Sequence, residues 1–336
     1  MKLLGFALVV SLLSLAQPAL AAGEAGAGLS LAWGLPFAGL LLSIALMPLL
    51  AGALWHHHYG KIAAGWAVLL VLPFAAVFGP SVAASEVWHI LLQEYIPFMA
   101  LLLALYVTGG GVLLKGTLIG TPATNTALLA FGTVIASVMG TTGASMLLIR
   151  PVLRANAFRQ RKIHTFVFFI FLVSNIGGSL TPLGDPPLYL GFLKGVSFFW
   201  TTSHMLGEFL FCAALLLAAY YVLDSWAWAR EKPTPPVIEK REKLSIEGYA
   251  NLWLIGAVVA MVLAQGYWQP GDVALFGEKI GLERLVGVAV FLAIAVLSTW
   301  VTPKALREAN GFAWGAILEV AKLFAAIFVT MAPVLA

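Results

Sequence analysis

Cysteine and charge are both scarce in this chain. A single cysteine, Cys212, stands among 336 residues, so no internal disulfide can form, and its place in the apolar run 209–223 gives it a packing role rather than a redox one. Charged residues are 10% of the sequence against 61% hydrophobic, and the few charges gather in short clusters between long uncharged runs. A water-soluble core of this length needs no such runs, so the bilayer is the solvent. Also missing are a nucleophile and base pair, a metal triad and a phosphate-binding loop, which argues against an enzyme. The net charge of +4 and the pI near 9.2 do not call for nucleic acid, because basic loops are expected wherever positive residues stay on the cytoplasmic face.

What is present reads as an all-α, polytopic membrane protein. Residues 1–22 carry the marks of a secretory signal: Lys2, an apolar stretch from Leu3 to Leu15, then small residues around Ala19, Ala21 and Ala22. Cleavage would leave the mature N-terminus outside the cytoplasm; the alternative is an uncleaved first span, for which the apolar stretch is short. Spans are expected at residues 32–54, 62–78, 95–114, 207–223, 249–266 and 285–301, with a last apolar segment from about Phe312. Starting outside, they put Lys61, the cluster 150–162, the cluster 230–243, Lys304 and Arg307 on the cytoplasmic side, as the positive-inside bias of a bacterial-type inner membrane requires.

Two stretches break the simple count. Residues 116–149 contain no charge, too long for one straight helix and too short for two full spans with a turn. A re-entrant helical hairpin at about 116–155 fits, with its turn at residues 140–145, where glycines flank Thr141, Thr142 and Ser145. Both ends of the hairpin would then lie on the cytoplasmic face, with Arg150 and Arg154 at its exit. The second stretch, about 163–200, takes an apolar helix into the sequence SNIGGSLTPLGDPP at residues 174–187. Paired glycines and three prolines make an unbroken helix untenable there, so the transmembrane helix should unwind and restart near Pro186. Irregular backbone at membrane depth is tolerated only inside protein or along a watery cavity. Discontinuous helices of this kind build the substrate and ion sites of secondary transporters.

Within that break Asp185 stands out, since an ionisable side chain inside an otherwise uncharged span is costly and usually functional. Its structural alternative is an N-cap for the half-helix that begins at Pro186. Ser174, Asn175, Ser179 and Thr181 could offer neutral oxygens to a partly dehydrated cation, or could instead satisfy the unwound backbone. Thr141, Thr142 and Ser145 would face the unwound segment if hairpin and break meet. Asn125 and Thr126 on the first arm read as helix–helix hydrogen bonders. Glu208, and Glu319 with Lys322, could serve a proton path or be interfacial or mutually paired. His56, His57 and His58 are expected in a cytoplasmic loop at the lipid surface, because consecutive side chains on a helix diverge and no acid or cysteine stands beside them. Residues 225–248, with Lys232, Pro233, Pro235 and Pro236, read as a solvated cytoplasmic linker.

The motif at 174–187 resembles the glycine-rich broken-helix signature of the ion transporter superfamily, and the run GTTGAS followed by MLLIRP at 140–151 resembles its preceding hairpin. That superfamily includes NhaD-type sodium/proton antiporters, citrate–metal symporters, divalent anion/sodium symporters and arsenite permeases, and the likeness is nearest to sodium/proton antiporters related to the citrate carriers. The resemblance covers roughly residues 116–200. It implies two inverted repeats, each with a hairpin and a broken helix, holding ion and substrate between them. Carried over residue by residue, Thr141, Thr142, Ser145, Asn175, Gly177, Gly178, Thr181, Pro182 and Asp185 match the first half of such a site. No second motif is visible between Thr201 and Ala336, where the chain ends in an apolar run. The expectation is therefore a first membrane repeat at 30–224 and the start of a second at 249–336, in a truncated form of a longer transporter.

The transport chemistry expected from these residues is sodium/proton exchange, with Asp185 alternating between a proton and a sodium ion. The alternative is cation-coupled symport of citrate or another small carboxylate, favoured by the helix N-terminus at Pro186 and the hydroxyls of the hairpin tip. A further alternative is a non-transporting membrane scaffold. Transported sodium and protons take the place of any resident cofactor; the sequence itself does not give the oligomeric state, and it is the family resemblance that implies a homodimer in the lipid bilayer.

Overall fold

The computed structural model describes residues 30–235, 242–275 and 278–335. The signal-like segment 1–22 and the middle of the basic linker lie outside the described residues. The protein is a polytopic, all-α membrane protein: among the described residues, eight helices are each long and apolar enough to cross a membrane. The helices are α1 (Leu35–Leu50), α2 (Gly52–Phe78), α3 (Pro80–Ile90), α4 (Ile96–Gly109), α5 (Pro122–Ala155), α6 (Ile163–Phe169), α7 (Pro186–Leu193), α8 (Trp200–Glu231), α9 (Tyr249–Tyr267), α10 (Leu282–Val301), α11 (Lys304–Ala309) and α12 (Trp314–Leu335). A π turn at Leu91–Tyr95 joins α3 to α4, so that Pro80–Gly109 forms one span.

Two compact units divide the chain, one made by the described residues up to Ile96 with the helix from Trp314, the other by Pro97–Ala313. In the first, α1 lies against α2 through Leu40, Ala63 and Ala326 of α12, with Trp66 packed beside them. The Trp66 indole N–H donates to Ser43 Oγ at 3.0 Å, which gives a large apolar ring a satisfied polar edge inside lipid. Trp33, Leu70, Phe74 and Phe78 make a second, aromatic cluster. In the other unit the core is built on both arms of α5, with Leu129, Ala136, Leu147 and Leu148 meeting Phe169, Leu172 and Val173 of the broken helix and Tyr220 of α8.

Three expectations are corrected here. His56, His57 and His58 are not in a loop: the break comes earlier, at Ala51, and α2 carries the three rings out to an exposed surface. Histidine does not interrupt the i to i−4 ladder, and His57 Nδ1 lies 2.8 Å from the Ala53 carbonyl one turn back. The third span begins at Pro80 rather than Tyr95, because Gly79 at φ +98° and Pro80 at the first helical position set a helix start that polar residues 86–94 masked. Gln93 and Glu94 are buried. Finally, Lys322 places its ammonium over the Tyr59 ring at 5.7 Å, and among the described residues no ion pair joins it to Glu319.

Short ribbons also appear where only loops were expected. Strand β1 (Leu113–Lys115) pairs antiparallel with β2 (Ser245–Glu247), Leu113 facing Glu247 and Lys115 facing Ser245, and Lys115 Nζ reaches Glu247 at 2.8 Å. Strands β3 (Asp272–Leu275) and β4 (Glu278–Gly281) form a second antiparallel ribbon between α9 and α10. The segment 225–231 continues α8.

Candidate functional site

Helix α5 is a hairpin. Thr121 caps its first arm, its hydroxyl accepting from Thr124 N at 3.2 Å with Pro122 at the first position. The arm ends at Gly140, whose φ of 78° and ψ of 151° reverse the chain, a conformation that costs any residue with a Cβ. The second arm runs back so far that the Gly120 amide donates to the Ala155 carbonyl at 2.8 Å. Asn125 and Asn156 close the base with reciprocal amide bonds of 2.9 and 2.8 Å. The helix–helix role expected of Asn125 is thus what its side chain performs. The reversal is tighter than a six-residue turn: Gly140 alone makes it, and Thr141, Thr142 and Ser145 already belong to the helical second arm.

The broken helix unwinds in stages. After α6 the chain passes through a π turn at Ile170–Asn175 and a 3-10 turn at Ile176–Gly178, then irregular backbone to Asp185 and the half-helix α7. The widened turn frees carbonyls, and Asn175 Nδ2 donates to the Ile170 carbonyl at 2.8 Å. Gly177 is buried where a Cβ would press on Ala136 and the Thr133 carbonyl, each at 2.8 Å. Gly178 and Gly184 cross backbone to backbone; a Cβ on Gly184 would overlap the Gly178 carbonyl. Only glycine permits that crossing.

Hairpin tip and break meet, the condition on which Thr141, Thr142 and Ser145 were expected to face the unwound segment. Thr141 donates to the Gly184 carbonyl from both its amide and its hydroxyl, each at 3.2 Å. Ser145 and Ser174 share a hydroxyl–hydroxyl bond of 3.0 Å. Ser137 donates to the Gly177 carbonyl and Thr181 returns a bond to the Ser137 carbonyl. Ser179 bonds the Ile176 carbonyl at 2.8 Å, and Thr201 of α8 reaches the Leu180 carbonyl at 2.9 Å. Most hydroxyls of the region are therefore occupied by the unwound backbone, which in lipid has no water to turn to. Pro182 is buried beside them.

Three of the candidate side chains stand apart. Thr142, Asn175 and Asp185 are exposed. Asp185 sits at the N-cap position in extended conformation, yet its carboxylate makes no capping bond. The reason lies in the next residues. Prolines at 186 and 187 carry no N–H, and the Leu188 amide is taken by Asp185's own carbonyl at 3.1 Å. The carboxylate is thus left without a capping bond at the start of the half-helix, and it is the sole charge between residues 165 and 193.

A second polar centre was missed. Asp224, the Arg159 guanidinium and His164 converge at the hairpin base: Arg159 lies 2.6 Å and His164 Nε2 2.7 Å from Asp224 Oδ1, and Tyr220 and Asn125 donate to Oδ2 at 3.1 and 3.2 Å. Asp224 follows an apolar run and Arg159 sits in a basic cluster, so both read as surface charges. Three helices' worth of chain separates them in sequence, and only the fold joins them.

Over residues 26–336 the chain matches the family described as "Putative citrate transport", and it belongs to that family. It is accordingly a membrane transport protein rather than an enzyme. No curated protein and no solved structure matches it.

Proposed function

We propose that the protein is a secondary carrier that moves a small carboxylate such as citrate together with a cation across a bacterial-type inner membrane, with Asp185 handling the cation. The observation that carries this reading is the Asp185 carboxylate, exposed and without a capping bond at the restart of the broken helix. Membership of a citrate transport family supports the carboxylate. Thr142 and Asn175, the other exposed polar side chains of the candidate set, supply neutral hydrogen bonds to substrate or ion. The remaining hydroxyls hold hairpin and break together, so the pair moves as one element when access alternates.

Sodium/proton exchange is the second reading, favoured by one feature: no Lys or Arg lies between residues 163 and 193 to meet an anion. Uptake of labelled citrate by proteoliposomes of the full chain, with and without an inward sodium or magnesium gradient, separates the two. Cation-dependent uptake supports the carrier of carboxylate. Sodium-driven proton movement in the absence of citrate, with no citrate uptake, replaces it by the exchanger.

A further inference from the structure

Away from the broken helix, the base of the hairpin's second arm borders a groove of about 480 Å³. Met146, Ile149, Arg150, Leu153 and Arg154 line it together with Gly311. Their spacing of three and four residues is that of one helical stripe, and it interleaves apolar side chains with two guanidinium groups a single turn apart. Both guanidinium groups are anchored. Arg150 donates to the Ala309 carbonyl at 3.0 Å and Arg154 to the Leu114 carbonyl at 3.1 Å. Gly311, at φ +69°, leaves the space in which the Arg150 guanidinium lies; a Cβ there would overlap it.

Neither arginine makes an ion pair among the described residues, and no acid lines the groove. A guanidinium has five N–H donors in a planar fork, so each retains donors beyond its backbone bond. Two fixed positive groups favour a phosphate oxygen set. A free phosphate has no use for Met146, Ile149 and the half-exposed Leu153, whereas a lipid brings a hydrocarbon chain for them. Basic pockets between helices, close to the membrane surface, are where anionic headgroups settle.

We propose that this groove binds the phosphate of an anionic phospholipid, with Arg150 and Arg154 on the headgroup and the acyl chain along Met146, Ile149 and Leu153. The proposal is independent of what the protein transports. Its test is thermal unfolding of the full chain in neutral detergent, titrated with phosphatidylglycerol, phosphatidylcholine or sodium phosphate. Phosphatidylglycerol should raise the unfolding temperature and the other two should not. The rise should vanish in R150Q/R154Q, measured against that variant's own lipid-free baseline, and persist in K304Q. Should the double variant fail to fold, L153D places a negative charge in the groove without touching either backbone bond and must also abolish the rise. An equal rise with phosphatidylcholine or with sodium phosphate, a rise that survives R150Q/R154Q or L153D, or one that is lost in K304Q would overturn the assignment.

Discussion

Arg159 and Asp224 meet at 2.6 Å with both side chains wholly buried. The pair ties the loop that follows the hairpin to α8, and Asn125 on the first arm joins it through Asp224. Two charges removed from water need close pairing; here His164 and Tyr220 also bond the Asp224 carboxylate, and Glu231 lies 3.9 Å from Arg159 Nε. Replacing Asp224 by Ala strands the Arg159 charge, and the expected loss is about 3–5 kcal/mol. Thermal unfolding of the purified chain reads it, and R159M/D224L should recover much of the loss. An unchanged midpoint for D224A contradicts a buried pair.

The backbone crossing of Gly178 and Gly184 gives a sharper local test. Alanine at 184 would drive its Cβ into the Gly178 carbonyl, forcing the two strands of the break apart and moving Asp185. G184A should reach the membrane in normal amount yet lose transport. Wild-type uptake by G184A would mean that the two glycines do not touch.

Ser145 and Ser174 carry a lone hydroxyl pair between hairpin and break. S145A should cost about 1 kcal/mol of stability, and S174A added to it should cost little more, because the partner hydroxyl has already lost its bond. Additive losses in the double variant would show that the two hydroxyls act separately.

His56, His57 and His58 point away from α2 and among the described residues no group of three metal-ligating side chains forms. Replacing all three by Ala should leave transport and its dependence on divalent metals unchanged, measured in proteoliposomes. A changed metal dependence would assign them a role that the fold does not suggest.

Much of this was legible in residue types. Thirty-four residues without charge and two threonines flanked by Gly140 and Gly143 announced a hairpin, since lipid leaves backbone few options. Likewise the glycines and prolines of 174–187 specified a break. Invisible were pairings across long stretches of chain: Asp224 with Arg159, or Thr141 with the Gly184 carbonyl, because side-chain pattern reports local geometry and not which distant carbonyl lacks a donor. The start of the third span was hidden for a different reason. Glu86, His89 and Glu94 suppress a hydropathy signal, whereas Gly79 and Pro80 set the helix start through backbone geometry alone. The alternative role of Asp185 as a side-chain cap for α7 fails on a detail equally present in the sequence, for the two prolines that mark the helix start also remove donors that a cap would use.

Asp185→Asn keeps the shape of the side chain and removes its charge, which isolates the one group on which cation coupling rests. In proteoliposomes of the full chain, cation-driven uptake of labelled citrate should fall to background in D185N while the protein unfolds at the wild-type temperature, since no hydrogen bond of the fold is lost. Uptake by D185N equal to wild type, with the same dependence on the cation gradient, would contradict the account.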